Sequence, residues 1–360
     1  MPDLPDQAPD FPSFLNCLPG KTLALVYSFS NTIDKDRVWY DRWRSSTIMY
    51  FGQGGEELGL DVRYIDVDTF LREIARPGGL SNDYLINLHS GLRDISSWPI
   101  VSSMASWRGL PAGPCPSDVH ITCERKDITR ALARSLKFKL PEAWTPDHSK
   151  RGEFVIKARD LGMSVGLRKS SQSDELSTAH ADPRLVVEEF IPGFDATIAV
   201  LANHVGGYTV LGAVYYEPKA RDFEWMFTED LKKLPLENDE FRSIGIAISD
   251  DLSTEVVKLS EQLGDGGVYR HDFRIEPLPN GEPPSVMTLD NSWYLEVTPT
   301  PTMAEQTDFG QIIKRAVSDD HIRLALTGRS ERGFKGDRAA QSVLVACLLY
   351  KSVCRLHHYR

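Results

Sequence analysis

The sequence lacks paired cysteines, a basic excess and an apolar run of bilayer length, and each absence removes a class of function. Its five cysteines (Cys17, Cys115, Cys123, Cys347 and Cys354) are scattered, odd in number and without a CxxC pair. That pattern argues against a disulfide framework or a zinc site and for reduced thiols in a cytoplasmic setting. A formal net charge of −10 speaks against a general nucleic-acid binder or a polybasic membrane binder, although a local basic cleft is compatible with it. The apolar stretch 342–350 is too short to span a bilayer. The opening MPDLPDQAPDFPSF is acidic and proline-rich and lacks the basic-then-apolar order of a secretory signal. There is no internal repeat, and no low-complexity tract beyond those opening prolines. A P-loop and a dinucleotide fingerprint are missing too: the glycine loop at 162–166 runs from strand to strand, whereas both motifs need a helix after the loop.

What is present is a 360-residue chain, 41% hydrophobic and 26% charged, which is enough for two or three packed subdomains. Residues 22–28, 60–67 and 84–88 read as strands, with helices over about 34–59 and 68–74. Strands alternating with helices predict a parallel, helix-covered sheet, and ligands of such sheets bind beyond the carboxyl ends of the strands. That places 28–31 and 87–91 at a binding edge and makes His89 and Ser90 candidate substrate contacts. A plain loop histidine is the competing interpretation of His89.

A second segment begins near Cys115. A charged helix over 122–136 carries Lys126. Strand 154–157 ends on Lys157, followed by Gly162, Met163, Ser164, Val165 and Gly166, then strand 167–170. Small residues let backbone N–H groups approach phosphate oxygens, and a lysine at a strand end supplies a point charge. The same stretch also reads as an ordinary hairpin. Strand 185–191 holds Glu188 and Glu189 within an apolar run. One of them must face the interior, where a carboxylate needs a partner. Beyond Pro192-Gly193, Asp195 is within reach of a ligand at the turn, and strand 196–201 follows. The sheet continues at 210–216, then comes a charged aromatic loop at 217–237. A helix is expected over 239–263, and two more over 311–325 and 339–357.

The stretch 267–307 carries the densest chemistry. It reads GVYRHDF, a polar excursion, then WYLEVTPTPTMAEQT. Two strands joined by the turn around 278–284 would set Asp272 beside Glu296, with Arg270 close to the first. Two carboxylates at neighbouring strand ends suit a Mg²⁺ ion that also takes phosphate oxygens. Charged strand ends are common, however, and the pair alone also fits an ordinary hairpin.

In this order, Lys126, FVIKARDLGMSVG, LVVEEFIPGFDATIAVL, YRHDF and WYLEVTPTPTM resemble the ATP-grasp superfamily, and within it the D-alanine–D-alanine ligase-like branch, over about residues 111–307. The resemblance implies an α/β fold, α+β in part. It implies an N-terminal parallel-sheet substrate domain (1–114), a central lid subdomain (115–191) and a C-terminal catalytic domain (192–360). It also implies ATP and Mg²⁺, with Mn²⁺ as an alternative, small-molecule carboxylate and amine substrates, and a homodimer through the N-terminal domain. Lys126 and Lys157 look like the lysines that hold phosphates, with the 162–166 loop closing over them. Glu188, Glu189, Phe190 and Ile191 look like the adenine hinge, and Asp195 stands where a ribose-binding glutamate is usual. Asp272, Glu296 and Thr298 take the metal positions. Arg270 and the backbone at Thr302 take the oxyanion role. Thr307 takes the place of a serine that holds the second substrate, and His89 lies in the first-substrate region.

The implied reaction is ATP-dependent amide formation through an acylphosphate. The departures are Thr298 for an asparagine, Thr302 for a glycine, and Met226 for a loop lysine, with Lys219, Lys232 or Lys233 as its stand-in. They leave two alternatives open: a nucleotide-binding protein without ligase activity, and a kinase that stops at phosphorylation.

Overall fold

The computed structural model describes residues 8–28, 45–89, 98–146, 152–160, 162, 164, 166–220, 224–232 (backbone alone at 229 and 232), 234, 238–301, 303, 307–328, 334 and 338–358. Ser90, Met163, Val165 and Thr302 among the expected site residues lie outside these, as do Lys233 and residues 29–44, which include most of the first half of the expected 34–59 helix.

Strands β1 (Thr22–Tyr27), β2 (Asp61–Asp66), β3 (Tyr84–Leu88) and β4 (Ala112–Gly113) form a parallel sheet in the order β2-β1-β3-β4. Alternate residues of β1 feed two cores, as side-chain alternation requires. Ala24 and Val26 pack with Phe70, Ile74, Val101 and Ala105. Leu23 and Leu25 pack with Ile48, Phe51 and the terminal helix Ala339–His358. That helix is long and apolar enough to cross a bilayer by length and composition, contrary to the expectation from 342–350. In the fold, 83% of its apolar window is buried.

The second sheet holds β5 (Phe154–Ala158), β6 (Arg168–Ser170) and β7 (Leu185–Glu189), antiparallel in the order β6-β5-β7. The third holds β8 (Phe194–Ala202), β9 (Tyr208–Pro218), β10 (Phe241–Ile248), β11 (Val268–Ile275), β12 (Val286–Met287) and β13 (Ser292–Thr298), in the order β12-β10-β9-β8-β11-β13. Its pairs are antiparallel except β10 with β12.

Several expected helices are corrected. Residues 241–248 are strand β10, and the helix begins only at Asp250–Leu263. Ile244, Ile246 and Ile248 alternate with a period of two, and Asp250 and Asp251 sit in the first turn where a helix favours acids. The 122–136 helix is two helices, Ser117–Glu124 and Lys126–Ser135, because Arg125 adopts an extended backbone (φ −87, ψ 95). Lys126 is therefore the first residue of its helix. The expected 311–325 helix divides into Asp308–Ser318 and Asp320–Thr327, with Asp319 capping the second. A helix at Ser173–Ala181 had no counterpart in the sequence reading.

Candidate functional site

The face of the third sheet is built by register. Asp272 pairs with Thr197 on β8 and with Glu296 on β13, and Arg270 pairs with Ala199 and Thr298. Arg274 pairs with Asp195 and Trp293. Alternation puts Arg270, Asp272 and Arg274 on one side of β11. Regular alternation on β13 would turn Glu296 to the back beside buried Tyr294. Instead the register shifts between Asp272 and Phe273, so that Phe273 faces Tyr294 and Leu295 is the extra residue. This bulge rotates Glu296 onto the face that carries Asp272.

Cations converge on those carboxylates. Arg270 grips Asp272 with two parallel hydrogen bonds, Nε to Oδ1 at 2.9 Å and NH2 to Oδ2 at 2.8 Å. Thr197 Oγ1 donates to Asp272 Oδ1 at 2.7 Å. Lys126 Nζ lies 3.2 Å from Glu296 Oε2. The helix start that carries Lys126 is tied to the loop after β5, its N–H donating to Arg159 O at 3.2 Å.

Behind the lysines, Glu188 is the inward-facing member of the acidic pair, 2% exposed. Its two oxygens are held by Lys157 and Arg130, whose guanidinium also donates to the Pro141 carbonyl. Burial lowers the pKa of the Lys157 ammonium, with Glu296 working against it. A buried carboxylate flanked by two buried cations is stable only as a set, since any one member left alone would carry a desolvated charge.

The backbone of 188–191, the expected hinge, is partly engaged. Glu189 N–H donates to Glu142 O at 2.8 Å and Phe190 N–H to Glu153 O at 2.9 Å. Gly193 closes the turn at φ +138, and a Cβ there would lie 2.1 Å from the Ile275 carbonyl. Asp195 accepts from Phe227 N–H and from Arg274 NH1, each at 2.9 Å. In the glycine loop, Ser164 adopts a positive φ of 62 and donates through Oγ to the Phe227 carbonyl at 2.8 Å.

The other expected residues lie at the margins. His89 is buried at the end of β3, its Nδ1 3.0 Å from Ser28 Oγ, while Asn87 Oδ1 accepts its N–H at 2.9 Å. Thr307 caps the helix Asp308–Ser318, its Oγ1 accepting from Gly310 N–H at 3.1 Å. Lys219 donates to the Asn238 carbonyl at 2.5 Å and lies 3.3 Å from Asp239, outside the cluster described above.

Three partners carry no mark of their own in the sequence: Thr197, Arg130 and Arg274. Thr197 and Arg274 each lie two residues from a residue already singled out, which is the signal alternation offers. Arg130 joins the site through tertiary packing alone. His120 is buried beside Trp98, at 5.7 Å between ring centroids, and both its ring nitrogens are unpartnered among the described residues. Burial, and then His89, pull its pKa down to about 3.

Among the described residues no group of three or more His, Cys, Asp and Glu side chains comes together to hold a metal. Two carboxylates on adjacent strands, each already drawing a cation, fit instead an ion such as Mg²⁺ that completes its shell with phosphate and water oxygens.

No family model matches the chain. In sequence it is similar to D-alanine–D-alanine ligases. That of Coprothermobacter proteolyticus is 23% identical over 198 residues, covering 50% of this chain and 60% of the relative. That of Gloeobacter violaceus is 27% identical over 178 residues, covering 45% and 54%. The chain thus spans little more than half the length of these two relatives. In structure it is similar to the D-alanine–D-alanine ligase from Bacillus anthracis complexed with ATP (TM-score 0.58, 13% identity, 95% of this chain and 100% of that one). It is also similar to the L-amino acid ligase from Bacillus licheniformis (TM-score 0.52, 16% identity, 87% and 75%).

Proposed function

We propose, from the premise that this chain has the ATP-grasp fold and resembles the D-alanine–D-alanine ligase-like branch in sequence, that it joins a carboxylate to an amine at the expense of ATP. The observation that carries the proposal is the facing pair Asp272 and Glu296, turned to one side by the bulge and countered by Arg270 and Lys126.

In this reaction a donor carboxylate attacks the γ-phosphate, giving an acylphosphate and ADP. An amine then attacks the acyl carbon, and phosphate leaves. The first step needs mainly positioning and charge neutralisation. Lys126 and Lys157 supply cations, and the loop of Gly162, Ser164 and Gly166 supplies backbone donors. Mg²⁺, held by Asp272 and Glu296 with the Thr298 hydroxyl alongside, would neutralise phosphate charge. Glu188, Glu189, Phe190, Ile191 and Asp195 frame the nucleotide. Arg270 and the backbone at Thr302 stabilise the oxyanion of the second step, a contribution of a few kcal/mol for each donor. His89 and Ser90 belong to the donor side and Thr307 to the acceptor side. The domain division at 114 and 191, a cytoplasmic setting and a homodimer through the N-terminal sheet are parts of the same proposal.

A thermal-shift titration with ATP, with and without Mg²⁺, tests it without knowledge of the substrates. Nucleotide at 100 times its Kd stabilises by about 2.7 kcal/mol. A Mg²⁺-dependent shift is expected, followed by ADP release in a panel of amines and carboxylates; no shift in either condition overturns the proposal. Thr298, in place of the usual metal-binding asparagine, favours a second reading, nucleotide binding without chemistry. Its signature is a shift with ATP alone and no ADP release.

A further inference from the structure

The segment 224–228 is pinned at successive positions from both sheets that flank the proposed nucleotide site. Lys169 on β6 donates to the Glu224 carbonyl at 3.0 Å and to its carboxylate at 2.7 Å. Arg274 on β11 donates to the Trp225 carbonyl at 3.0 Å. Asp195 on β8 accepts the Phe227 N–H, and Ser164 in the glycine loop donates to the Phe227 carbonyl. The ring of Phe227 stacks on Tyr216 at 4.2 Å between centroids.

Arg274 is the hub of these bonds. It is 4% exposed. Its Nε donates to the Ile191 carbonyl of the hinge at 2.9 Å, and its NH1 is shared between Asp195 and Trp225. Its guanidinium lies 5.3 Å from the Phe190 ring centroid. One planar fork therefore touches the hinge, the ribose-side carboxylate and the strap at once. A lysine, with a single point charge, cannot reproduce that geometry. Charge-assisted bonds in a buried setting are the strong ones, so this junction adds to the aromatic packing of Trp225 and Phe227 in holding the strap in place.

We propose that Arg274 is a positioning residue that clasps the 224–228 strap shut over the nucleotide site and so gates nucleotide passage. This rests on the ATP-dependent reading above. Asp195 is the shared element. It holds the strap through Phe227 and the clasp through Arg274, and a ribose hydroxyl approaching it competes for the same carboxylate. Nucleotide entry and strap opening are thereby coupled. Loss of the clasp frees the strap in both directions, so association and dissociation both accelerate. A residue that merely shapes the pocket would change dissociation and leave association as it was.

The test is stopped-flow binding of a fluorescent ADP analogue, with Mg²⁺, to the full chain. Arg274→Met is expected to raise both rate constants about tenfold, the factor that loss of one charge-assisted hydrogen bond carries. Arg274→Lys is expected to remain fast on both limbs, since it lacks the fork. Lys169→Met, which loosens the strap from the opposite sheet at a partly exposed position, is expected to raise both by about threefold. Faster dissociation alone, or wild-type rates in folded Arg274→Met, overturns the clasp. If Arg274→Met does not fold, wild-type rates in Lys169→Met overturn it instead. No analogue binding by the wild-type chain removes the ATP-dependent reading and this inference with it.

Discussion

At the residue scale the site is a set of opposite charges that rely on one another. Asp272→Asn and Lys157→Ala are each expected to reduce ADP formation by about a hundredfold or more, as loss of one preorganised charge does. Circular dichroism should show Asp272→Asn folded, and Lys157→Ala folded but less stable because it leaves Glu188 half compensated; wild-type turnover in both would refute the assignment. Arg130 has a different role. It stands behind the site and shares Glu188 with Lys157. Arg130→Met removes half the compensation of a buried carboxylate and is expected to cost about 3 kcal/mol in urea unfolding. Adding Glu188→Gln should restore part of that loss, because the uncompensated charge is then gone. Asp272, Glu296 and Lys157 stand out in the sequence because each lies at or near the end of an apolar run, where a charge has to be exposed or paired; Lys126, between Arg125 and Asp127, is marked only by the family resemblance. Arg130, Thr197 and Arg274 do not stand out. Their roles depend on which strand or helix lies opposite, and no local pattern states that.

At the element scale, strand alternation was most of what could be read. Strand β3 (Tyr84–Leu88) matches its expected bounds, and the hairpin-like pairing of Asp272 with Glu296 is present. The bulge that this pairing requires leaves no mark in the sequence. A shift of one residue leaves the same letters in the same order, and only the packing of Tyr294 against Phe273 and Phe138 shows which side each letter takes. The isoleucines of strand β10 fit a loose helical count as well as a period of two, which is why the sequence extends the expected helix back over them. The change at Ser249-Asp250 marked the boundary. The hinge turn gives an element-level expectation. Gly193→Ala would drive a Cβ into the Ile275 carbonyl at a backbone angle that side chains rarely adopt. A loss of about 2 kcal/mol or more in the unfolding free energy measured in urea is expected, within the range of strained turn positions. A variant with unchanged stability would mean that the turn relaxes freely.

At the scale of the whole molecule, acid is expected to weaken the fold through His120. Its folded pKa of about 3 lies below the ordinary imidazole value because the ring is buried and stands near His89. The unfolded chain therefore binds a proton that the folded one does not between pH 6.5 and 3. The stability His120 leaves intact above pH 6.5 is lost as pH falls toward 3. At pH 5 the loss is about 2 kcal/mol. Urea unfolding at pH 7 and pH 5 should show the wild-type chain losing that much more than His120→Leu; equal losses would place the acid sensitivity elsewhere. The terminal helix Ala339–His358 packs on the helix Ser45–Glu57 and shares a core with β1 and β3 of the first sheet. A ribosome emits the N-terminal sheet hundreds of residues before it emits the helix that covers one face of it. The usual order of birth, in which an N-terminal domain finishes folding while the rest is still being made, is therefore not expected of this chain. Nascent chains halted before Ala339 should remain protease-sensitive in both the first sheet and the third. Until its last turns emerge, the protein depends on whatever shields exposed Leu23, Leu25 and Ile86 from other unfinished chains.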